Sequence, residues 1–531
     1  MDWLNQNILS ILIFLPLVGA LLLALLPRRV SREGAIAIGL ANFVLSLHLW
    51  YHWAATMPAA SGYRFEETRD WLPRFNISYA VGVDGISLFL ILLTTLLVPL
   101  VLLFSWSSIT SRAKEFGVCL LLLEGAIVGT FSALDLILFY IFFEAVLVPI
   151  YLMMVIWGGP RRVYASIKFL LYTMVGSVLM WVGLLYVYFA GNATSFGLEH
   201  MTRAAMKLDD GQTGVAVWLF AAFALAFAIK SPLFPFHTWQ ADAYSEAPTG
   251  ATVMLAAVLA KMGTYGFIRF AIPFFPFAAK AVAPVMITLA IIGIVYGAMV
   301  AIKQTDYKRL LAFSSLSHMG FVLLGIFVSL MVGEKQEGYA SIAMSGATLQ
   351  MVNHGITTAA LFLLVGMLYE RRHTRDIDQF GGLAETMPRF NVLFWIALFA
   401  SIGVPGLNGF VGEYLILQGT MAVGIWYAFI ATTGVILGAV YMLRMFRSMM
   451  FGEITIEENK TLKDVNHRES FVVGVLLAVA VFIGVLPNTL LGIINPDAKK
   501  AATQAQQGGV RNAAMLTTPV DGSKIVKLDT P

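Results

Sequence analysis

A single cysteine, Cys119, stands in a chain of 531 residues. One thiol excludes internal disulfides and leaves no thiolate set for an iron–sulfur cluster or a structural zinc site. Charge is scarce as well: Asp, Glu, Lys and Arg make up 12% of the chain against 59% for apolar residues. Soluble domains carry about 25% charged residues, so this chain lacks the polar surface to face water. Its mean hydropathy of +0.79 assigns most of it to lipid. The net charge of +4 comes from basic residues scattered between apolar runs, which is no nucleic-acid signature. No G-x-x-x-x-G-K-[ST] loop and no dinucleotide fingerprint in a βαβ setting is present, so nucleotide hydrolysis and nicotinamide binding are not expected of this chain. The first apolar run follows MDWLNQN, with Asp2 and no basic residue, and no small-residue cleavage site comes after it. It reads as a retained helix rather than a signal peptide.

What is present is a series of fourteen apolar runs long enough to cross about 30 Å of hydrocarbon as helix. They begin near Ile8, Ala35, Ile86, Phe116, Leu136, Phe169, Val215, Ala251, Ala281, Leu310, Ala340, Phe390, Ala422 and Phe471. The expected fold is an all-α polytopic membrane protein of fourteen transmembrane helices. The odd-numbered loops hold eighteen Lys and Arg: Arg28, Arg29, Arg32, Arg112, Lys114, Arg161, Arg162, Lys303, Lys308, Arg309, Arg371, Arg372, Arg375, Arg389, Arg447, Lys460, Lys463 and Arg468. The even loops hold seven: Arg64, Arg69, Arg74, Arg203, Lys207, Lys280 and Lys335. The positive-inside rule places the odd loops in the cytoplasm and both termini on the periplasmic side. The polar tail, residues 495–531, is then expected to be external and poorly ordered. Without a transit segment, the expected location is the inner membrane of a bacterial cell.

Spans 7 and 12 differ in kind. The first reads AFAIKSPLFPFHTW, with Pro232 and Pro235 in mid-span; the second reads LFASIGVPGLNGFVGEY, with Pro405 among Gly403, Gly406 and Gly409. Proline removes a backbone donor and glycine relaxes the chain, so each span should be discontinuous at membrane depth. Both breaks share S-x-x-x-P, from Ser231 to Pro235 and from Ser401 to Pro405. Paired broken helices point to a transporter built from repeats. Spans 4–8 (116–272) and 9–13 (281–450) would be two inverted five-helix repeats, after N-terminal spans 1–3 (1–115) and before a loop with span 14 (451–494).

Ionisable residues in mid-span are expensive and are functional candidates by default. Glu124 and Glu144 are each ninth in their spans, about 13 Å deep at 1.5 Å per residue. Lys230 precedes the first break, Lys261 is central in span 8, His318 is ninth in span 10, His354 is central in span 11, and Glu413 follows the second break. At roughly 2.5–3.5 kcal/mol each for insertion, several unpaired charges would consume the fold's stability. Burial disfavours the charged form and an opposite charge favours it, so rearranging a partner moves a proton. That is what a relay requires. Gln350, His354, Thr357 and Thr358 share one helical face, as do Ser314, Ser317 and His318.

Plainer roles compete at several positions. Glu144 and Lys230 alone could be a static pair that fixes helix register; six groups on six spans are harder to read so. Glu124 has no relay partner in its own span. Asp135 sits at a tight turn and suits a cap. His237, beside Trp239, fits a helix end or an interface as well as a relay. His48 and His52 have metal or haem spacing without a third ligand, which favours interfacial snorkelling, and Arg444 and Arg447 read the same way.

The stretch HTWQADAYSEAPTGATVMLAAVLAKMGTYGFIRF (His237–Phe270) resembles the signature of the antiporter-like subunits of respiratory complex I, the proton-translocating NADH:quinone oxidoreductase. FEAVLVPIYLMMVIWG around Glu144, FSSLSHMGFVLLG around His318 and NHGITTAALFLLVGMLYERRHTRD after Asn353 agree. The resemblance covers nearly the whole chain. It departs from the common H-T-W-L-P-D-A-H at Gln240, Ala241 and Tyr244. It implies a translocase subunit without redox centres or cofactors of its own; FMN, iron–sulfur clusters, NADH and quinone belong to other subunits. It further implies that Glu144 pairs with Lys230, that Lys261 is the central relay lysine, that His318 and His354 lead onward, and that Glu413 is the terminal group. Lysine takes the place of Glu413 in the related chains L and N, which are the expected partners in the membrane arm. The other readings are a subunit of a multisubunit sodium/proton antiporter, a subunit of a proton-pumping hydrogenase, and a structural scaffold.

Overall fold

The computed structural model describes residues 2–27, 31–59, 61–209, 214–333 and 336–517. Arg28, Arg29 and Lys335 of the charge count and residues 518–531 of the tail lie outside them. The fourteen apolar runs become helices: α1 (Ile8–Leu25), α2 (Ser31–Tyr51), α3 (Leu88–Ser108), α4 (Ala113–Ser132), α5 (Leu136–Trp157), α6 (Arg162–Ala190), α7 (Gly214–Lys230 and Thr238–Glu246), α8 (Thr249–Phe274), α9 (Pro276–Ile302), α10 (Tyr307–Met331), α11 (Glu337–Arg372), α12 (Pro388–Ser401 and Asn408–Val423), α13 (Ile425–Met450) and α14 (His467–Val485). Among the described residues twelve are long and apolar enough to cross a membrane, and the first segments of α7 and α12 are shorter apolar helices.

The two interruptions fall where the prolines and glycines require them. After Lys230 the chain leaves the helix through Pro232 and Pro235 and resumes at Thr238. After Ser401 it turns through Gly403 and Gly406, at φ +75° and +91°, a left-handed conformation open to glycine at little cost. A third interruption, unsuspected in the sequence, splits α5 at Val146 between Leu136–Ala145 and Leu147–Trp157. In α8, π-helical turns at Leu255–Leu259 and Phe267–Ala271 flank the segment that carries Lys261; such turns recur at functional sites.

The layers sort by enclosure. In the most apolar stretches of α8 and α11 every residue is buried, and α3, α4 and α10 are nearly as enclosed. In α2, α6, α13 and α14 most residues face outward, as lipid-facing helices do. The charges of spans 8, 10 and 11 therefore sit on the innermost helices.

Three further elements were not anticipated. Between α2 and α3 the chain forms an antiparallel hairpin, β1 (Arg64–Leu72) and β2 (Ile77–Val83). Buried Glu67 of β1 accepts the N–H groups of Leu9 and Ser10 at 2.8 and 3.1 Å, satisfying donors that the first turn of α1 leaves free. Residues 495–517, expected to be poorly ordered, instead belong to a helix, α15 (Asn488–Thr517), which corrects that reading. Ile494, Ala498, Ala502 and Ala505 form its buried stripe; Asp497 accepts from Gly85 N–H at 2.7 Å, and Gln506 donates to the carbonyls of Ser329 and Val332 at 3.1 and 3.2 Å. At the odd-loop face, Lys168 and Arg309 meet Asp242 at 2.8 and 3.3 Å, and Arg375 meets Glu246 and Asp306 at 3.2 and 3.3 Å. These pairs clamp the second segment of α7 against α10. Lys308, counted as a loop charge, is buried there and donates to the Ala247 carbonyl at 3.0 Å.

Candidate functional site

Lys261 is fully enclosed. In the π-helical turn before it, Ala260 N–H reaches back five residues to Leu255 O, and the Ala256 carbonyl accepts from Lys261 Nζ at 2.6 Å. The same ammonium lies 2.6 Å from His354 Nδ1 on α11. His354 Nε2 is buried without a hydrogen-bond partner, and the His354 and His318 rings are 5.8 Å apart between centroids. His318 Nδ1 lies 2.7 Å from Glu413 Oε1 on α12, which also accepts from Gln350 Nε2 at 3.0 Å. Four of the six groups thus form one line from α8 through α11 and α10 to α12. Beside it, His318, Gln350, Asn353, His354, Thr357, Thr358 and Ser401 line a small cavity of about 10 Å³, close to the room one water needs. A cavity with so many polar partners suits ordered water.

Asn353 and Asn408 belong to this site and were not singled out in the sequence. Asn353 Nδ2 donates to Asn408 O at 2.7 Å, Asn408 Nδ2 returns a bond to Asn353 O at 3.1 Å, and Thr357 donates to Asn408 Oδ1 at 3.2 Å. These reciprocal bonds tie the restart of α12 to the middle of α11. An asparagine at the first position past a glycine-rich break is the signal that was available.

The other two groups stand apart. Lys230 Nζ donates to Phe143 O at 2.7 Å and sits 3.4 Å from the centroid of the Phe143 ring; the interruption of α5 at Val146 leaves that carbonyl free. Glu144 is half-buried beside Tyr140 and Ser177, and its Oε1 has no hydrogen-bond partner. Among the described residues no ion pair within 4.0 Å joins Glu144 to Lys230, nor does a hydrogen bond join Lys230 to Lys261. The arrangement is two clusters with a gap.

The secondary candidates make contacts of their own, none of them with the four groups of the line. Glu124 is fully enclosed and accepts from Asn42 Nδ2 at 2.9 Å, remote from the line of groups, with Oε2 unpartnered. His237 precedes the second segment of α7 and stands between Phe234 and Tyr296, with ring centroids 5.6 and 5.3 Å away. Asp135 caps α5, accepting from Ile137, Leu138 and Ser78 N–H at 2.9, 3.3 and 3.1 Å. Burial pushes its carboxyl above the usual carboxylate range, against the pull of those three donors. Asp135→Ala should therefore cost about 1 kcal/mol of stability, read as a lower Tm of the solubilised complex, while proton uptake by membranes continues. The His48 and His52 rings lie tilted against each other, 4.2 Å apart between centroids, and no cluster of three metal-ligating side chains occurs among the described residues.

The family described as NADH:quinone oxidoreductase/Mrp antiporter, TM, matches residues 133–438, and that described as NADH-ubiquinone oxidoreductase chain 4, amino terminus, matches residues 9–130. NADH-quinone oxidoreductase subunit M of Rhodobacter capsulatus is 42% identical over 505 residues, covering 93% of this chain and 96% of that one. The chain belongs to the family of NADH-quinone oxidoreductase subunit M and NADH-ubiquinone oxidoreductase chain 4. Membership makes it an antiporter-like membrane subunit of a translocase, as its sequence motifs implied. A chain of respiratory complex I from Thermus thermophilus superposes with a TM-score of 0.83 at 33% identity, over 94% of this chain and 99% of that one. A chain of the Mrp complex from Dietzia sp. gives 0.80 at 20% identity, over 97% and 99%, and shares the fold. Within the subunit M family, the line from Lys261 to Glu413 is the feature of this chain that chemistry can use.

Proposed function

We propose that this subunit carries protons through mid-membrane along Lys261, His354, His318 and Glu413, driven by NADH:quinone oxidoreduction elsewhere in the complex. The observation that supports it is the pair of 2.6 and 2.7 Å contacts, Lys261 to His354 and His318 to Glu413, at the two ends of the histidine pair. An imidazole accepts a proton on one ring nitrogen and releases one from the other. His354 bonds Lys261 through Nδ1 and keeps Nε2 free, so a proton received from the lysine leaves toward His318. Glu144 and Lys230 form the input: when Glu144 approaches, its charge holds the Lys230 proton, and when it withdraws the proton is released toward Lys261.

The same reading places the odd loops in the cytoplasm and both termini outside the inner membrane of a bacterial cell, by the excess of basic residues in the odd loops. Spans 4–8 and 9–13 would be the inverted repeats, each with its broken helix. The related chains L and N are the proposed neighbours, and redox groups are left to other subunits.

Glu413→Gln keeps the side chain's size and removes its capacity to take a proton. In inverted vesicles with normal complex content, NADH-driven proton uptake should fall by about a hundredfold, the scale on which a positioned proton carrier acts. Sodium pulses without NADH should produce no pH change. A sodium-driven change, with uptake untouched by the substitution, would replace this reading with that of a sodium/proton antiporter.

A further inference from the structure

One buried cation has no part in the relay, yet it stands on the relay's own helix. Lys261, Tyr265 and Arg269 follow at i, i+4 and i+8 along α8, so they lie one above another toward the even-loop end. Eight residues of helix span about 12 Å, which makes this the short way from the central lysine to that face. The Tyr265 hydroxyl donates to Phe131 O at 3.0 Å and accepts from Arg269 Nε at 3.1 Å. Arg269 Nη1 donates to the Tyr63 hydroxyl at 2.8 Å, and Nη2 meets Asp84 Oδ2 at 2.6 Å. Both side chains of the pair are at most 10% exposed. Asp84 Oδ1 is held in turn by Ile86 N–H at 3.1 Å and Ser87 N–H at 3.0 Å. Asp497 of α15 binds the intervening Gly85 N–H, so the two ends of the hairpin meet α8 at one guanidinium, with the C-terminal helix fixed one residue away.

A scaffold alone does not call for this arrangement. A buried ion pair is weak evidence of stability, since apolar side chains of equal volume often serve as well. An arginine cannot give up its proton, so while Arg269 is held in this ion pair it offers no site by which a proton on Lys261 could be handed on toward the even-loop face. We propose that Arg269, locked by Asp84, Tyr63 and Tyr265, is a non-titrating proton seal at the even-loop end of α8. It stops protons on Lys261 from short-circuiting to that face and commits them to His354 and Glu413. The inference rests on the relay proposed above, and two separate readouts keep the two claims distinct.

The test uses inverted vesicles containing the assembled complex and carrying the double variant Asp84→Asn with Arg269→Gln, which removes both charges together and so leaves no unpaired buried charge. Passive proton re-entry without NADH should rise about tenfold or more, the scale on which a fixed charge alters local ion concentration. Stimulation of NADH oxidation by an uncoupler should disappear. Adding Lys261→Met should abolish the leak, because the leak enters by the lysine. Arg269→His should be tight in acid medium and leaky in alkaline medium, since an imidazole is cationic only below its ordinary range near neutrality; the groups facing it are Asp84, Tyr63, Tyr265 and, through Gly85, Asp497 with Arg64 nearby. Wild-type tightness in both variants overturns the seal, and so does a leak that persists with Lys261→Met, which would be a packing defect. The relay itself is judged on NADH-driven uptake by Lys261→Met alone.

Discussion

Lys261→Met should abolish NADH-driven proton uptake through this subunit, a fall of about a hundredfold in line with the loss of a positioned proton carrier. Methionine fills the same apolar space, so the packing of α8 against α11 survives. What it leaves is an unpartnered His354 Nδ1 and an open Ala256 carbonyl, at a cost of about 1–3 kcal/mol for each buried polar group. The more informative companion is Lys261→Arg. Arginine restores the charge and the bonds to Ala256 and His354, and a merely structural cation would thereby be rescued. A relay is not rescued, because a guanidinium stays protonated at any physiological pH. Equal loss of uptake in both variants, at normal complex content in the membrane, identifies Lys261 as a proton carrier. Recovery in Lys261→Arg would make it architectural.

The sequence spoke clearly where the physics is one-dimensional. Fourteen spans follow from run length, and the breaks in α7 and α12 follow from proline and glycine, because both depend on residues adjacent in the chain. Lys261, His318, His354 and Glu413 were legible because charge in an apolar run has few causes. What the sequence hid depends on partners distant in the chain. Arg269 obeys the same charge-in-span rule, but its meaning needs Asp84, 185 residues away. The interruption of α5 at Val146 has a local cause that the run-length reading passed over: Pro149, one turn on, cannot donate to the Ala145 carbonyl and crowds it; only its consequence, the Phe143 carbonyl turned to Lys230, needs a distant partner. In α15 the spacing of Ile494, Ala498 and Ala502 was present, diluted by a polar composition that a window average reads as tail. The hairpin between α2 and α3 lies among charged residues, and its one buried acid, Glu67, is explained by the free donors of a helix 57 residues earlier.

Glu144→Gln should also collapse coupled proton uptake, by about a hundredfold or more, and the structure says why the effect is on coupling rather than on assembly. Lys230 is held by the Phe143 carbonyl and ring, not by Glu144, so the amide removes no bond that the lysine makes here. What it removes is the charge that draws Lys230 into an ion pair. At 4 Å such a pair is worth about 4 kcal/mol at an effective dielectric of 20, roughly a thousandfold in how tightly the lysine holds its proton. Without that swing Lys230 has one state in place of two, and the gap between Lys230 and Lys261 is never crossed in step with quinone reduction. Two measurements separate coupling from collapse. Complex content and NADH oxidation with an artificial acceptor report assembly, and proton uptake with quinone reports the pump. Loss of the second alone makes Glu144 the gate. Glu144→Asp, which restores the charge on a shorter arm, should recover part of the uptake. If Glu144→Gln pumps like the wild type, the open distance between Glu144 and Lys230 is a fixed feature of the fold, and the input to Lys261 lies along another route.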